Sequence, residues 1–112
     1  MQQQTHNTTT ISITDGVVKG FVRYWRLEEP EKNQQKEMVF LHFGKMGIYS
    51  WIAAVEVLIN HCLANNVSLE TIANEFIGIS GGEQVWVDGK LQLSIIDSVG
   101  QVLQEIVLRN KA

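Results

Sequence analysis

The sequence predicts an α+β domain: an antiparallel sheet packed against a long core helix and a C-terminal helix, with a small β-hairpin. Three patterns lead there. Residues 17–27 and 38–43 concentrate β-branched and aromatic side chains on either side of a charged connection. Segments 48–64 and 95–106 repeat apolar residues at helical spacing. Asp88-Gly89, a favoured sequence for a two-residue hairpin turn, divides two short extended runs. With 112 residues, 45% hydrophobic and 19% charged, the chain amounts to one domain able to bury a core.

Residues 1–15 read as a flexible lead-in, ahead of a single domain over residues 16–112. The first ten are Gln, Thr, Asn and His with no apolar side chain after Met1, and Ile11-Ser12-Ile13-Thr14 alternates as a short strand would. From Val17 to Leu27 a long strand is expected. One face would carry Phe21, Arg23 and Trp25, the other Val22, Tyr24 and Arg26, so the two arginines project on opposite sides. Glu28 to Glu37 holds the one proline and reads as a solvated loop; Met38 to Phe43 then returns as a second strand.

After Gly44-Lys45-Met46-Gly47 comes a helix whose stripe is Ile48, Trp51, Ile52, Val55, Leu58, Ile59, Cys62 and Leu63. Asn65-Asn66 closes it, because Asn tolerates a left-handed backbone. Ser68 is placed to cap a second helix through Phe76, and Gly78 to end it. The hairpin follows over residues 84–93. Ser94 is placed to cap the last helix, with Asp97 three residues on, where an acidic side chain can reach back as in a capping box. Ile95, Val99, Val102, Leu103 and Ile106 make its inward stripe, and Arg109 complements its C-terminal dipole.

Charge and composition exclude several classes. Nine Lys+Arg against twelve Asp+Glu give a net charge of −3, unsuited to a duplex nucleic-acid coat. One cysteine, Cys62, allows neither an internal disulfide nor a thiolate metal cage. His6, His42 and His61 are too scattered to define a metal site, and no cofactor is expected. No signal-like leader and no run long enough to span a bilayer stand out, so a cytoplasmic, soluble domain is expected.

Three groups of residues are candidates for binding. Gly44, Lys45, Met46 and Gly47 precede a helix, where close backbone approach, free N–H groups and a lysine suit a phosphate; the spacing is not that of a P-loop, and a plain tight turn is the alternative. Arg23, Arg26 and Arg109 are all the arginines there are, and a guanidinium pairs well with phosphate; ion pairing with Glu28, Glu29 and Glu31 competes as a role. On the hairpin, Trp86 can stack a base, while Asp88 and Gln92 can read hydroxyls or a base edge; packing of Trp86 and a turn role for Asp88 are the alternatives. Tyr49 and Trp51 compete for the stacking role, with Trp51 better suited to the core.

The order of these motifs resembles the TSCPD domain found at the C-terminal end of some adenosylcobalamin-dependent ribonucleotide reductases and in small stand-alone proteins. The matching residues are Val67-Ser68-Leu69-Glu70-Thr71-Ile72, Gly78-Ile79, Trp86, Gly89 and Leu93-Ser94-Ile95-Ile96-Asp97. Where that family has its cysteines, this chain reads Ser80-Gly81 and Ile95-Ile96, so the resemblance implies a retained fold without the thiol chemistry. In size and layout the chain also resembles the small phage anti-Thoeris proteins, which sequester glycocyclic ADP-ribose signals. That resemblance implies a non-enzymatic sponge for a nucleotide-derived signal, forming a homodimer or higher homo-oligomer in the host cytoplasm. A protein-interaction module derived from the reductase C-terminus is the alternative. A phosphodiesterase or glycohydrolase using Glu83 and Asp88 is a third.

Overall fold

A computed structural model describes residues 5–15, 18–29, 34–43, 50–81, 84–87 and 89–110. Three strands come first: β1 (Thr5–Asp15), β2 (Val18–Glu29) and β3 (Gln34–Phe43). They form one antiparallel sheet in the order β1-β2-β3. Helices α1 (Ser50–Ala64) and α2 (Leu69–Phe76), the hairpin strands β4 (Val85–Val87) and β5 (Lys90–Gln92), and helix α3 (Ile95–Asn110) follow. The expected α+β class and the order of its elements are those observed.

Two stretches differ from expectation. Residues 5–15 are not a lead-in. They pair with β2 along their whole length, from Thr5 opposite Glu28 to Asp15 opposite Val18. Their threonines lack hydrophobicity but suit an extended backbone. The expected loop of residues 28–37 is also shorter, because β2 continues to Glu29 and β3 begins at Gln34. Polar side chains extend this ribbon, and one of them has a structural task. Glu37 accepts a 2.6 Å hydrogen bond from the hydroxyl of Tyr24.

The sheet buries one face. Val22 and Tyr24 of β2 and Val39 and Leu41 of β3 join Ile52 and Ile59 of α1, Leu69, Ile72 and Ala73 of α2, and Val99, Val102, Leu103 and Ile106 of α3 in a single core. α3 lies across β1 and β2, α2 packs on α3, and α1 lies along β3. The α2–α3 crossing is close: a Cβ at Gly100 would sit 2.7 Å from Phe76 Cβ and 2.9 Å from the backbone nitrogen of Ile77.

Capping follows the sequence closely. Asn66 has φ 68° and closes α1. Ser68 caps α2 by accepting from the Thr71 N–H at 3.1 Å. Gly78, with φ 95°, carries the chain away from α2.

The apolar stripe expected for α1 is only half inward. Ile52 and Ile59 are buried, and Val55, Cys62 and Leu63 are partly so. Trp51 and Leu58, assigned to the core by spacing, are 43% and 62% exposed. The reason lies in β3, which is an edge strand with outward-facing N–H and C=O groups. The Asn60 side chain accepts from the Val39 N–H at 2.7 Å and donates to the Val39 carbonyl at 2.9 Å. One turn earlier, Glu56 Oε1 accepts from the Leu41 N–H at 2.7 Å. The pair at i and i+4 on the helix thus meets the strand's i and i+2 groups, as a further strand would, and rotates α1 so that its polar residues face the sheet.

This seal has a measurable worth. Asn60→Ala is expected to lower unfolding free energy by about 1–3 kcal/mol, because it strands a donor and an acceptor of β3. Asn74→Ala, at an exposed position of α2, is expected to change stability by less than about 0.5 kcal/mol. Urea denaturation of both variants checks the contrast.

Candidate functional site

Two places gather polar or aromatic side chains in patterns the fold alone does not require. The first is the junction of α2, the hairpin and α3. Ser94 Oγ accepts from the Asp97 N–H at 3.0 Å and donates to the Ile79 carbonyl at 2.7 Å. Asp97 is 2% exposed. Its carboxylate accepts from the Gly78 N–H at 2.8 Å, the Leu93 N–H at 2.9 Å and the Gln101 side-chain amide at 2.8 Å. The reach-back expected of Asp97 is therefore present, but it lands one residue before the cap and also crosses to the exit of α2.

The segments 78–81 and 93–97 run side by side here, tied also by the Gly81 N–H to the Leu93 carbonyl at 3.2 Å. These are the stretches where Ser80-Gly81 and Ile95-Ile96 stand in place of the cysteines that the resemblance implied. The junction keeps its serine and aspartate, which hold backbone together, and has no sulfur to react.

The second place is the outer face of the sheet, away from the helices. Arg23 lies between Phe21 and Trp25 on β2, and the register sets Phe21 opposite His42, Arg23 opposite Phe40 and Trp25 opposite Met38. The Phe21 and His42 rings stack with centroids 4.5 Å apart. Phe21, Arg23, Met38 and His42 are exposed, while Trp25 and Phe40 are half-buried. A guanidinium among flat aromatic surfaces can hold an anion and stack a planar group together.

The candidate residues are dispersed over several elements. Arg23 is on the outer face. Arg26, on the opposite face as expected, sits where its charge is felt by Tyr24 beside Glu37. Arg109 is exposed and pairs with Glu105 of its own helix at 3.1 Å. Trp86 is 70% exposed on β4. Gln92 is turned inward: it is 7% exposed, and its amide oxygen accepts from the Ser98 hydroxyl at 2.7 Å. Gly44, Lys45, Met46, Gly47, Tyr49, Glu83 and Asp88 lie outside the described residues. Tyr24, next to both Arg23 and Arg26 in sequence, is fully buried in the core. Phe21 was placed beside Arg23 by the pleat of β2, but Phe40, Met38 and His42 were not read as neighbours of that arginine from sequence. Alternation in both strands, read together, was the signal that joins them to Arg23.

Among the described residues, no three His, Cys, Asp or Glu side chains are grouped to hold a metal ion. No helix among them is long and apolar enough to cross a membrane. Fold and junction together define a small two-layer α+β domain whose α3 entrance is a Ser-x-x-Asp cap locked to the exit of α2. The family model of the TSCPD domain matches residues 3–107, and the chain belongs to that family. No curated protein and no solved structure matches it.

Two outcomes follow from these contacts. Asp97→Asn replaces an acceptor oxygen with a donor facing backbone N–H groups, so a loss of about 1–3 kcal/mol is expected in urea denaturation at neutral pH. The same change at exposed Glu75, Glu75→Gln, is expected to be nearly silent.

Tyr24 gives a pH signature. Burial first, and then the hydrogen bond to Glu37, push its hydroxyl well above the ordinary value of 10.0. The folded state holds this proton more tightly than the unfolded chain does. The stabilisation is therefore complete below pH 10 and is drawn down as pH climbs toward the raised value. Tyr24→Phe is expected to cost about 1 kcal/mol at neutral pH. Its gap from the parent should narrow above pH 10, as read by denaturation at both pH values.

Proposed function

We propose that this chain is a non-catalytic binding protein that sequesters a nucleotide-derived immune signal and so blocks a host effector. Glycocyclic ADP-ribose is the first choice of ligand and a cyclic oligonucleotide the second. On this reading the protein acts in the host cytoplasm, as a homodimer or higher homo-oligomer, and returns its ligand intact. The observation that carries the proposal is the outer sheet face, where Arg23 stands among Phe21, Trp25 and Phe40 with His42 stacked on Phe21. Such a ligand offers phosphates and a purine, and this face offers a guanidinium and aromatic planes. The absence of thiols at the α3 junction supports binding over the redox role of a cysteine-bearing relative.

The second reading is a protein-interaction module related to the reductase C-terminus. Family membership favours it, as does the apolar character of the same face, with Phe21 38% and Met38 37% exposed. Pull-down of a reductase, undisturbed by Arg23→Ala, would select it.

Titration calorimetry with cyclic ADP-ribose isomers tests the first reading. Binding is expected, with Arg23→Ala weakening it about 10-fold or more, as for loss of a charge-assisted hydrogen bond. Mass spectrometry should recover the ligand uncleaved. Absence of heat with every isomer and with cyclic dinucleotides, or recovery of a hydrolysed product, rejects the proposal.

A further inference from the structure

Charge is sorted between the two layers. Helices α1, α2 and α3 hold five Asp or Glu residues and one Arg. On the sheet, the alternation that carries Arg23 runs from Lys19 through Phe21 and Trp25 to Leu27 on β2, and from Lys36 through Met38 and Phe40 to His42 on β3. Neither run contains Asp or Glu, and the first acid on this alternation is Glu29, opposite Gln34 at the end of the ladder. The β1 residues in register with Phe21, Arg23 and Trp25 are Ser12, Thr10 and Thr8, all of hydroxyl-bearing, uncharged type. A chain of net charge −3 thus puts three of its nine Lys and Arg at these positions and no acid among them. An anionic polymer is drawn to such a face and repelled from the helical layer. The aromatic residues are also spread out. Phe21 and His42 stack at 4.5 Å. Phe40 is diagonal in the register to both Phe21 and Trp25, and diagonal neighbours stand about 7–8 Å apart. From Lys36 to His42, both exposed, β3 advances about 20 Å. One compact nucleotide covers only part of this row.

We propose that this face binds a short single-stranded oligonucleotide laid across the sheet. The Phe21–His42 stack, Phe40 and Trp25 meet successive bases, and Arg23 and Lys36 meet phosphates. Every base has a π-face, so a row of aromatic stations holds a strand without reading its sequence. Small antiparallel sheets that bind RNA stack two or three bases in this manner. A duplex does not fit. Its bases are stacked on one another and closed to the rings, and holding it by phosphates alone takes more positive charge than this face carries. An acidic peptide would engage the two cations and leave the ring row unfilled. A linear strand is a different ligand from a single diffusible signal, because it needs the whole extent of the row, out to Lys36, where one cyclic nucleotide needs Arg23 and a ring. The strand site stands whether or not the face also takes such a nucleotide.

Fluorescence anisotropy of the full chain with labelled nine-nucleotide oligouridine and oligothymidine tests it, against a labelled hairpin duplex and an acidic peptide. The single strands are expected to bind with a Kd below about 100 µM at low salt, and the duplex and the peptide more weakly. The logarithm of Kd is expected to rise with that of salt with a slope of about 1.4, as for two phosphates of a single strand. Lys36→Ala should lower the slope to about 0.7. Phe40→Leu should weaken binding about fivefold or more and leave the slope unchanged. Should Phe40→Leu lose its fold by circular dichroism, Phe21→Leu at an exposed ring gives the same reading. Uridine monophosphate at matched base concentration should not displace the strand. Tighter binding of one strand names its sugar as the preferred one, and equal binding names single strands of either sugar. Absence of binding by both strands overturns the proposal. So does a duplex or peptide that binds as tightly, displacement by the mononucleotide, or a slope that Lys36→Ala leaves unchanged. Calorimetric heat with cyclic ADP-ribose isomers but no strand binding rejects the strand site and leaves the sequestering role standing, and the opposite pair of results does the reverse.

Discussion

The carboxylate of Asp97 is where the two halves of the helical layer are joined. Three donors converge on it: the first residue beyond α2's cap, the residue before α3's cap, and a side chain one turn along α3. Burying a charge is costly unless its oxygens are fully bonded, and a helix N-terminus supplies a favourable dipole as well. Once that condition is met, the exit of α2 and the entrance of α3 cannot drift apart. Gly100 then brings the two helices to backbone contact at Phe76 and Ile77. The sheet receives α2 and α3 as a joined pair. Ser94 and Asp97 have a physical reason in this geometry that needs no cysteine beside them. These residues hold up the fold whatever chemistry is placed beside them.

α1 is built on a different principle. It is positioned by polar groups meeting the last strand, and its aliphatic contacts at Ile52 and Ile59 follow from that orientation. The two helical units therefore meet the sheet independently, α3 over β1 and β2 and α1 along β3. The sheet's other face is left uncovered by either of them, and Arg23 and its aromatic neighbours stand on that face.

Much of the architecture was legible in the residues. Ser68, Asn66, Gly78, Ser94 and Asp97 announced the helix ends because capping is local chemistry, decided within a few residues. Opposite projection of Arg23 and Arg26 followed from the pleat. In β1 only Ile11 and Ile13 alternate, which announced a short strand at its end; residues 5–10 carry no apolar alternation, and their strand is specified by pairing with β2, which is a long-range fact. The orientation of α1 was hidden for a related reason. A helix with apolar residues around most of its circumference does not say which side is in, and the decisive term was the demand of Val39 and Leu41 for partners. Of the candidate site, the side of the sheet on which Arg23 stands was readable from the pleat, whereas for Trp86 packing and exposure both stayed open. The inward turn of Gln92 was not readable, since Ser98 as its partner is a tertiary contact.

A strand edge closed by side chains behaves differently from one closed by another strand. The amide protons of Val39 and Leu41 are held by Asn60 and Glu56, so they become open to solvent exchange when α1 lifts, even with the β2–β3 ladder intact. Detachment of one helix would uncover a ready template of paired-strand geometry, the form in which chains add to one another and aggregate. Docking of α1 thus doubles as quality control. A copy whose helix is loose carries a sticky edge, and a copy whose helix is seated does not.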